Sequence, residues 1–294
     1  MTLLRVLRER LTRGSLTGRY PDVEEPAPPL FRGMPRMDPA LCRGHAVCAA
    51  VCPSDAIEVE PSDGGWRWRL DRARCVGCGA CAEQCPTGAL SISLDYELAA
   101  RRREDLVSEV HFRPDAPAAP APVGPTAPGL EAAGAELRTR VAKLFRSSLQ
   151  IRHLDAGSSN AEDWEINALL NPLYDLQRFG IDFVASPRHA DMLVVTGAVT
   201  RNLHPALLAT YEATPDPKIV VALGADACSG GIVHGSYATA GGVDRCLPVD
   251  VYIPGDPPRP QAILHGLLLA LDRRAQKIHG QRLAVRPDGP RAGA

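Results

Sequence analysis

The chain has 294 residues, which is enough for two domains of ordinary size. Its hydrophobic content of 45% and charged content of 23% are typical of a soluble globular protein. The formal net charge of −1 gives no support for a nucleic-acid partner, and no apolar run approaches the roughly 20 residues of a membrane-spanning helix. We therefore predict a chain that neither binds nucleic acid nor crosses a membrane.

The N-terminal segment, residues 1–13, is predicted to form a short amphipathic helix. Leu3, Leu7 and Leu11 share one face of this helix, and arginines surround that face. Such a helix either packs on its own domain or docks on a partner subunit or a membrane surface. The Pro- and Gly-rich residues 14–36 that follow predict an irregular arm.

Seven of the nine cysteines lie between Cys42 and Cys85, too close together for ordinary disulfide bridges. The N-terminal segment also lacks the apolar core of a signal peptide, so we expect a reducing, cytoplasmic compartment and metal ligation. Two motifs of equal spacing, each followed by a proline, supply the ligands. The first motif comprises Cys42, His45, Cys48 and Cys52, and the second comprises Cys75, Cys78, Cys81 and Cys85.

The spacing C-x-x-C-x-x-C-x-x-x-C-P, complete in the second motif, is typical of proteins with two [4Fe–4S] clusters. In such proteins the last cysteine of each motif ligates the cluster of the other motif. The first predicted cluster is therefore held by Cys75, Cys78, Cys81 and Cys52. The second is held by Cys42, His45, Cys48 and Cys85. Cysteine pairs also bind zinc, but the doubled motif favours iron–sulfur clusters.

His45 stands where the motif has its second cysteine, and this leaves three alternatives. The imidazole ligates a [4Fe–4S] cluster, or the site holds a [3Fe–4S] cluster with His45 as a bystander, or no cluster binds. A neutral imidazole in place of a thiolate raises the reduction potential. The stretch CRGHAVC is similar to that of small actinobacterial ferredoxins with a three-iron cluster. We expect an occupied but altered cluster.

After the cysteine motifs, residues 96–110 predict a charged, exposed helix that ends the first domain. A stretch dominated by Pro and Ala then predicts a semi-extended linker. Beyond the linker, a helix from residue 131 to about residue 149 is predicted to open the second domain. The predicted boundaries are 37–112 for the first domain, 113–130 for the linker, 131–280 for the second domain and 281–294 for a disordered tail.

In the second domain, short apolar runs alternate with helical patterns, which indicates a parallel sheet flanked by helices. The predicted strands span residues 181–185, 192–196, 218–223 and 249–253. The predicted helices span residues 163–178, 203–213 and 259–275. The predicted fold class is thus an α+β, ferredoxin-like two-cluster module followed by an α/β domain.

Residues around these motifs resemble a known family. Residues 31–33 (FRG) and 91–99 (SISLDYELA) are similar to the ferredoxin-like subunit of formate hydrogenlyase and other membrane-bound [NiFe]-hydrogenases. The second domain resembles the small subunit of the same complexes, which is related to the complex I subunit that carries the last cluster before quinone. The stretches that carry this resemblance are 151–158, 186–191, 195–202, 241–245 and 257–260. The resemblance implies two fused subunits and a flavodoxin-like parallel sheet.

The resemblance also implies that a cofactor is missing. The family's small subunit holds a proximal [4Fe–4S] cluster with four cysteines, and at those positions this chain has Ser159, Glu162, Asp226 and Asp256. Oxygen ligands suit such clusters poorly, so the second domain is expected to lack its cluster. The carboxylates must then pair with arginines, take up protons or bind Mg²⁺ or Ca²⁺. We expect ion pairing, and the candidates are Arg188, Arg201 and Arg259.

These observations predict an electron-transfer and scaffold subunit of a membrane-attached complex related to group 4 [NiFe]-hydrogenases and NADH:quinone oxidoreductase. The expected partners are a hydrogenase large-subunit-like protein and the membrane subunits of a complex I-like assembly. The chain would lie at the cytoplasmic face of the cell membrane, with membrane contact only through partners or the N-terminal helix. A non-redox structural subunit and a free-standing redox protein are the alternatives. No catalytic constellation is visible, so a non-catalytic subunit is expected.

Overall fold

The computed structural model describes residues 12, 14, 16–23, 25–62, 64–113 and 148–271, and the main chain of residues 277–278 and 281–282. The predicted N-terminal helix, the linker, the helix from residue 131 and the C-terminal tail therefore lie almost wholly outside the described residues. In the tail, only the main chain of Gln281–Arg282 is described, and it pairs with Lys277–Ile278. The described residues of the arm form turns, with no helix or strand from residue 14 to residue 34.

The N-terminal domain is built from two antiparallel sheets and two one-turn helices. Its strands are β1 (Pro35–Met37), β2 (Ile57–Ser62), β3 (Gly65–Asp71), β4 (Leu90–Ile92) and β5 (Val107–Phe112). Its helices are α1 (Val47–Ala50) and α2 (Ala80–Glu83). Strand β1 pairs with β4, and the second sheet has the order β2-β3-β5. Trp68 and Leu70 of β3 are buried between these elements and the cysteines.

The helix predicted over residues 96–110 is wrong. The chain forms a 3₁₀ turn at Arg103–Leu106 and then strand β5, which pairs with β3. Phe112 is buried and Glu109 is exposed, as the alternation of a strand requires. Two arginines of β3 lie 3.8 and 3.4 Å from the Glu109 carboxylate. The charges that favour a helix in the sequence are therefore used in cross-strand pairs with a distant segment.

The second domain contains a five-stranded parallel sheet with the order β10-β9-β8-β6-β7. Its strands are β6 (Leu149–Asp155), β7 (Ile181–Phe183), β8 (Met192–Thr196), β9 (Ile219–Leu223) and β10 (Val251–Ile253). The parallel sheet and all four predicted strands are confirmed. Strand β6 escapes prediction because the polar residues Gln150, Arg152 and His153 interrupt its apolar run.

The helices of the second domain follow the strands of its sheet. They are α3 (Ala161–Ala168), α4 (His204–Ala213), α5 (Ala225–Ser229) and α6 (Pro260–Ala270). The helices predicted over residues 203–213 and 259–275 are confirmed within the described residues. The helix predicted over residues 163–178 ends at Ala168, because Pro172 cannot continue it. No helix in the described ranges is long and apolar enough to span a membrane.

Helix α6 lies in the interior, and every one of its residues is buried. On one side Ile253 of β10 approaches Gly266 so closely that any β-carbon at this position would clash with it. On another side the arm contacts the helix, where Gln261 Nε2 donates a hydrogen bond of 3.0 Å to Glu25 Oε2. A helix that is apolar all round needs such a covering on every side. Parts of the N-terminal region thereby complete the core of the second domain.

Main-chain contacts join the two domains next to the second cysteine motif. Ala100 and Tyr252 exchange two N–H···O hydrogen bonds of 2.9 and 2.7 Å at the edge of the parallel sheet. The hydroxyl of Ser229, at the end of α5, donates a hydrogen bond of 2.9 Å to the Ala73 carbonyl oxygen. Because Ala73 lies just before Cys75, this contact places the second cysteine motif beside the carboxyl end of the sheet.

Candidate iron–sulfur centres and a buried carboxylate site

The two cysteine motifs have the same main-chain shape. Helices α1 and α2 stand at corresponding positions, and each follows a loop that enters the left-handed region. The corresponding residues with positive φ are Gly44 and Gly77, Ala46 and Gly79, and Asp55 and Gly88. Residues other than glycine rarely adopt the φ of 57° found at Ala46. The first motif is therefore built on the same loop as the complete second motif, although it carries His45.

The last cysteine of each motif is also held in the same way. Cys52 Sγ lies 3.8 Å from Ser54 Oγ, and Cys85 Sγ lies 3.7 Å from Thr87 Oγ1. Main-chain N–H groups donate to both sulfurs, and the one from Ala56 reaches Cys52 Sγ at 3.2 Å. Burial alone would raise the pKa of the Cys85 thiol, but its donors outweigh burial and the pKa is lowered. Such hydrogen bonds also set the potential of a bound cluster.

One set of four cysteines surrounds a small cavity in the first domain. Its members are Cys52, Cys75, Cys78 and Cys81. Burial and the neighbouring thiols raise the pKa of Cys75 to about 12 and that of Cys81 to about 11. The main chain of Gly77 and Gly79 lines the same cavity. These residues fit a four-thiolate cluster, because bound iron replaces the protons of the thiols and shares their charge.

The remaining cysteines of the motifs form a second set. Its members are Cys42, Cys48 and Cys85. Burial raises the pKa of Cys42 and of Cys48, and the nearby charge of Cys85 adds to both rises. The side chain of Trp68 lies near Cys48 and opposes the rise there. Trp68 is only 2% exposed, and among the described residues its Nε1 forms no hydrogen bond of ordinary length, so its effect on Cys48 acts over a longer distance.

His45 occupies the loop position that Cys78 has in the other motif, and both side chains are exposed. Contacts among the described residues group the three thiols Cys42, Cys48 and Cys85, and His45 is not among the groups that act on Cys42 or Cys48. In the described part of the chain, no group of three or more Cys, His, Asp or Glu side chains converges on a single metal ion. Thiols that surround a cavity suit a cubane, in which each thiolate binds a different iron, whereas zinc draws its ligands to one point. The ligand roles of the eight residues stay predictions.

The residues at the expected proximal-cluster positions lie at the carboxyl edge of the parallel sheet. Glu162 is in the first turn of α3 and Asp226 is in the first turn of α5. Asp256 lies in the loop between β10 and α6, and Ser159 is exposed on the loop before α3. Loops at this edge of an α/β sheet are where such folds gather ligands. We refer to Glu162, Asp226 and Asp256 as the carboxylate site.

Glu162 is the most deeply buried member of the carboxylate site, with 0% exposure. Among the described residues neither of its side-chain oxygens has a hydrogen-bond partner, and only its own main-chain N–H favours the charged form. Burial, followed by the charges of Asp256 and Asp226, raises the pKa of Glu162 to about 7. Burial and Asp256 raise the pKa of Asp226 to about 6. Burial also raises the pKa of Asp256, which reaches solvent at the rim.

The predicted ion pairs with arginine are not formed among the described residues. Arg188 and Arg201 are exposed, and neither forms a salt bridge to the carboxylate site there. The guanidinium of Arg259 lies over the ring of Tyr96, with 4.6 Å to the ring centroid, and its Nε donates to Gln261 Oε1 at 2.8 Å. Aromatic rings from the N-terminal region, which the sequence does not place near Arg259, thus compete for this cation.

Sequence reasoning missed a polar cluster beside the carboxylate site. His153 Nε2 lies 3.0 Å from Asp163 Oδ1 and 3.0 Å from Thr196 Oγ1. Burial lowers the pKa of His153 and outweighs the opposing effect of Asp163. The sequence shows a histidine on β6 and an aspartate at the start of α3, but only the fold brings them together.

Family models match both parts of the chain. Residues 34–89 match the 4Fe-4S dicluster domain, and residues 160–270 match the NADH ubiquinone oxidoreductase, 20 Kd subunit. The fold and the cysteine loops therefore define an iron–sulfur protein with a dicluster domain and a domain of the complex I type.

Individual relatives of known name show to which family within this class the chain belongs. The chain is 48% identical over 148 residues to the probable membrane-bound hydrogenase subunit mbhJ of Pyrococcus furiosus, a match that covers 49% of this chain and 89% of that protein. The chain belongs to the family of these hydrogenase and NADH-quinone oxidoreductase subunits. It is 46% identical over 147 residues to formate hydrogenlyase subunit 7 of Escherichia coli, covering 50% of this chain and 58% of that subunit.

The chain is also 54% identical over 104 residues to an NADH-quinone oxidoreductase subunit of Citrifermentans bemidjiense, covering 35% of this chain and 61% of that protein. It thus spans less than two thirds of this relative and of the Escherichia coli protein. A chain of the membrane-bound sulfane sulfur reductase, an archaeal respiratory membrane complex, has 36% identity and a TM-score of 0.41. That match covers 46% of this chain and 74% of the other.

Proposed function

We propose that this chain is the iron–sulfur electron-transfer and scaffold subunit of a membrane-attached complex related to group 4 [NiFe]-hydrogenases and NADH:quinone oxidoreductase. The observation that carries the proposal is the pair of cysteine loops with one main-chain shape, which supports two cluster sites. When bound, the clusters supply one-electron transfer. The chain's own part is to hold them with seven thiols and His45, and to set their potentials through N–H···S hydrogen bonds.

The second domain acts in this proposal as a scaffold without a cluster of its own. Its expected cluster position presents three carboxylates and the hydroxyl of Ser159, and such hard ligands are poorly suited to iron–sulfur clusters. Relatives that cover only about half of the chain are named as separate subunits. This supports the proposal that two neighbouring subunits are fused here.

The proposed partners are a hydrogenase large-subunit-like protein and the membrane subunits of a complex I-like assembly. The name of the Pyrococcus furiosus relative places that protein in a membrane-bound hydrogenase, which supports attachment of this chain to a membrane complex, and we propose the cytoplasmic face. A surface next to the carboxylate site supports a protein partner there. Trp164 is 74% exposed on α3, and Leu170 and Leu173 are exposed on the turn that follows.

Iron analysis of the anaerobically purified chain tests the electron-transfer function. We expect about seven or eight irons per chain, with acid-labile sulfide and two reducible centres, as the two cysteine motifs imply. About twelve irons would show a third cluster and overturn the assignment of the second domain. A chain that folds and assembles without any iron would instead support a purely structural subunit.

A quadruple variant tests the emptied proximal position directly. Replacing Ser159, Glu162, Asp226 and Asp256 with cysteine supplies the four thiolates that the family has at these positions. We expect reconstitution to add about four irons and a third spectroscopic centre. A variant with only two of the four cysteines is the control. If the quadruple variant folds and binds no additional iron, these residues do not occupy a cluster site.

A further inference from the structure

The carboxylate site contains a group that the proposed electron transfer does not use. Glu162 is fully buried, and within the described ranges its carboxylate oxygens have no hydrogen-bond partner. Gly224 approaches so closely that a β-carbon at this residue would lie 2.5 Å from Glu162 Oε1. A buried carboxylate without donors is costly as an anion, so burial favours its neutral form. The geometry therefore provides a place for a proton.

Asp256 lies between the buried Glu162, the solvent and the cysteine-rich domain. It is exposed at the rim, and its charge acts on Glu162. Asp256 also lines a cavity together with Val76 and Gly77. These two residues lie between Cys75 and Cys78, so the loop of the four-thiolate cluster and one member of the carboxylate site, Asp256, line the same cavity.

We propose that the carboxylate site takes up a proton at Glu162 when the cluster held by Cys52, Cys75, Cys78 and Cys81 is reduced. The inference rests on the proposed function, because it requires that cluster. Each reduction adds one electron to the cluster from a low-potential one-electron donor. A proton from the solvent forms the O–H bond of the Glu162 carboxyl group, and no other bond forms or breaks.

The coupling is electrostatic. Negative charge added at the cluster increases the proton affinity of a nearby carboxylate, and the effect is larger in the protein interior than in water. By linkage, a bound proton makes the cluster easier to reduce by the same free energy. The pKa of Glu162 is already about 7, so a modest change in nearby charge alters its protonation at neutral pH.

The surroundings of Glu162 favour a proton over an ion pair. The charged groups that act on it are Asp163, Asp226 and Asp256, all acidic. The Asp163 carboxylate also pairs with His153 of β6. Helix α6 contributes Arg259 at its start, but this guanidinium lies over the ring of Tyr96. Strand β9 contributes the main chain of Gly224 at its end.

The experiment measures the midpoint potential of the four-thiolate cluster in the full chain at several values between pH 5.5 and pH 8.5. We expect the potential to fall as pH rises, by at most about 59 mV per tenfold change in proton concentration, the limit for one proton per electron. In the Glu162→Gln variant this dependence should be lost. Glu212→Gln, which changes an exposed glutamate on α4, should keep it.

Other outcomes overturn the inference. A wild-type potential that does not change with pH excludes the coupling, and so does a pH dependence that survives in Glu162→Gln. A divalent cation that co-purifies in stoichiometric amount and is lost in Glu162→Gln would assign the site to the cation instead.

A second measurement applies if Glu162→Gln does not fold. In reduced-minus-oxidised infrared spectra of the wild type, a protonated carboxyl band should appear on reduction and should weaken in Asp256→Asn. Its absence would overturn the inference. Iron content and the number of reducible centres are measured on the same samples. A chain with two clusters and pH-independent potentials fails only this inference, whereas a chain with no cluster or with three fails the proposed function.

Discussion

The carboxylate of Glu162 occupies the space that a side chain at Gly224 would need. A β-carbon at Gly224 would lie 2.5 Å from Oε1 and 3.0 Å from Cδ of Glu162, and the φ of Gly224 is 92°. Both the contact and the backbone conformation therefore require glycine. The burial of a carboxylate on α3 thus depends on a residue that follows β9.

The variant Gly224→Ala should be destabilised for both reasons. Backbone strain costs on the order of 1–3 kcal/mol, and the clash with Glu162 adds to it. Gly235→Ala is the matched control, because Gly235 has a φ of 76° but no atom within 4 Å of the position that a β-carbon would take. Thermal unfolding under anaerobic conditions compares the two. Combining Gly224→Ala with Glu162→Ala should recover the part of the stability loss that comes from the clash. Equal losses of stability in Gly224→Ala and Gly235→Ala would contradict the contact.

The stability of the chain should fall as pH rises because of Glu162. Its pKa is about 7 in the folded protein and ordinarily 4.5, so the folded state holds the proton more tightly over this window. Stability from this group is complete below about pH 4.5 and is lost as pH rises through about 7. Glu162→Gln removes the charge, and at pH 8 it should gain about 3 kcal/mol over the wild type. At pH 4.5 the two should be nearly equal.

This prediction is checked by thermal unfolding of both proteins at pH 4.5 and pH 8. Glu212→Gln serves as the control and should differ little from the wild type at either pH. A constant difference between Glu162→Gln and the wild type would mean that the carboxylate does not titrate in this range.

The variant His45→Cys should convert the second centre into an ordinary four-thiolate [4Fe–4S] cluster. Its potential should fall, because an anionic ligand replaces a neutral or absent one. Electron paramagnetic resonance during a redox titration measures this change, with the other cluster as the internal reference. Unchanged spectra and potentials would show that His45 does not lie at the cluster.

The variant Trp68→Phe should lower the potential of the same centre. It removes the indole N–H whose nearness lowers the pKa of Cys48, and donors close to the ligand sulfurs raise cluster potentials. Trp66→Phe is the matched control on the same strand, because the Trp66 ring lies against Gly44 and is not a donor to Cys48 in the described contacts. Equal shifts in both variants would indicate a packing effect rather than an effect of the indole N–H.

The sequence by itself determined the parts of this protein that depend on local spacing. The cysteine motifs form loops of one shape because helix α1 or α2 and the residues with positive φ recur at equal intervals. Strands such as β8 and β9 are continuous apolar runs, and such a run is enough to predict a strand that is buried on both faces. The positions of Glu162, Asp226 and Asp256 came from the resemblance to the hydrogenase small subunit, and in the fold each of them follows a parallel strand.

Only the tertiary structure decided what depends on distant partners. Residues 96–110 carry the charges of a helix, yet the pairing of β5 with β3 makes them a turn and a strand. Arg259 closely follows Asp256 in the sequence, but the ring of Tyr96 takes its guanidinium. Within the described residues no cation pairs with Glu162, and burial is the largest cause of its raised pKa. The protonation of the site thus depends on the packing of α3 against the residue that follows β9, which buries Glu162.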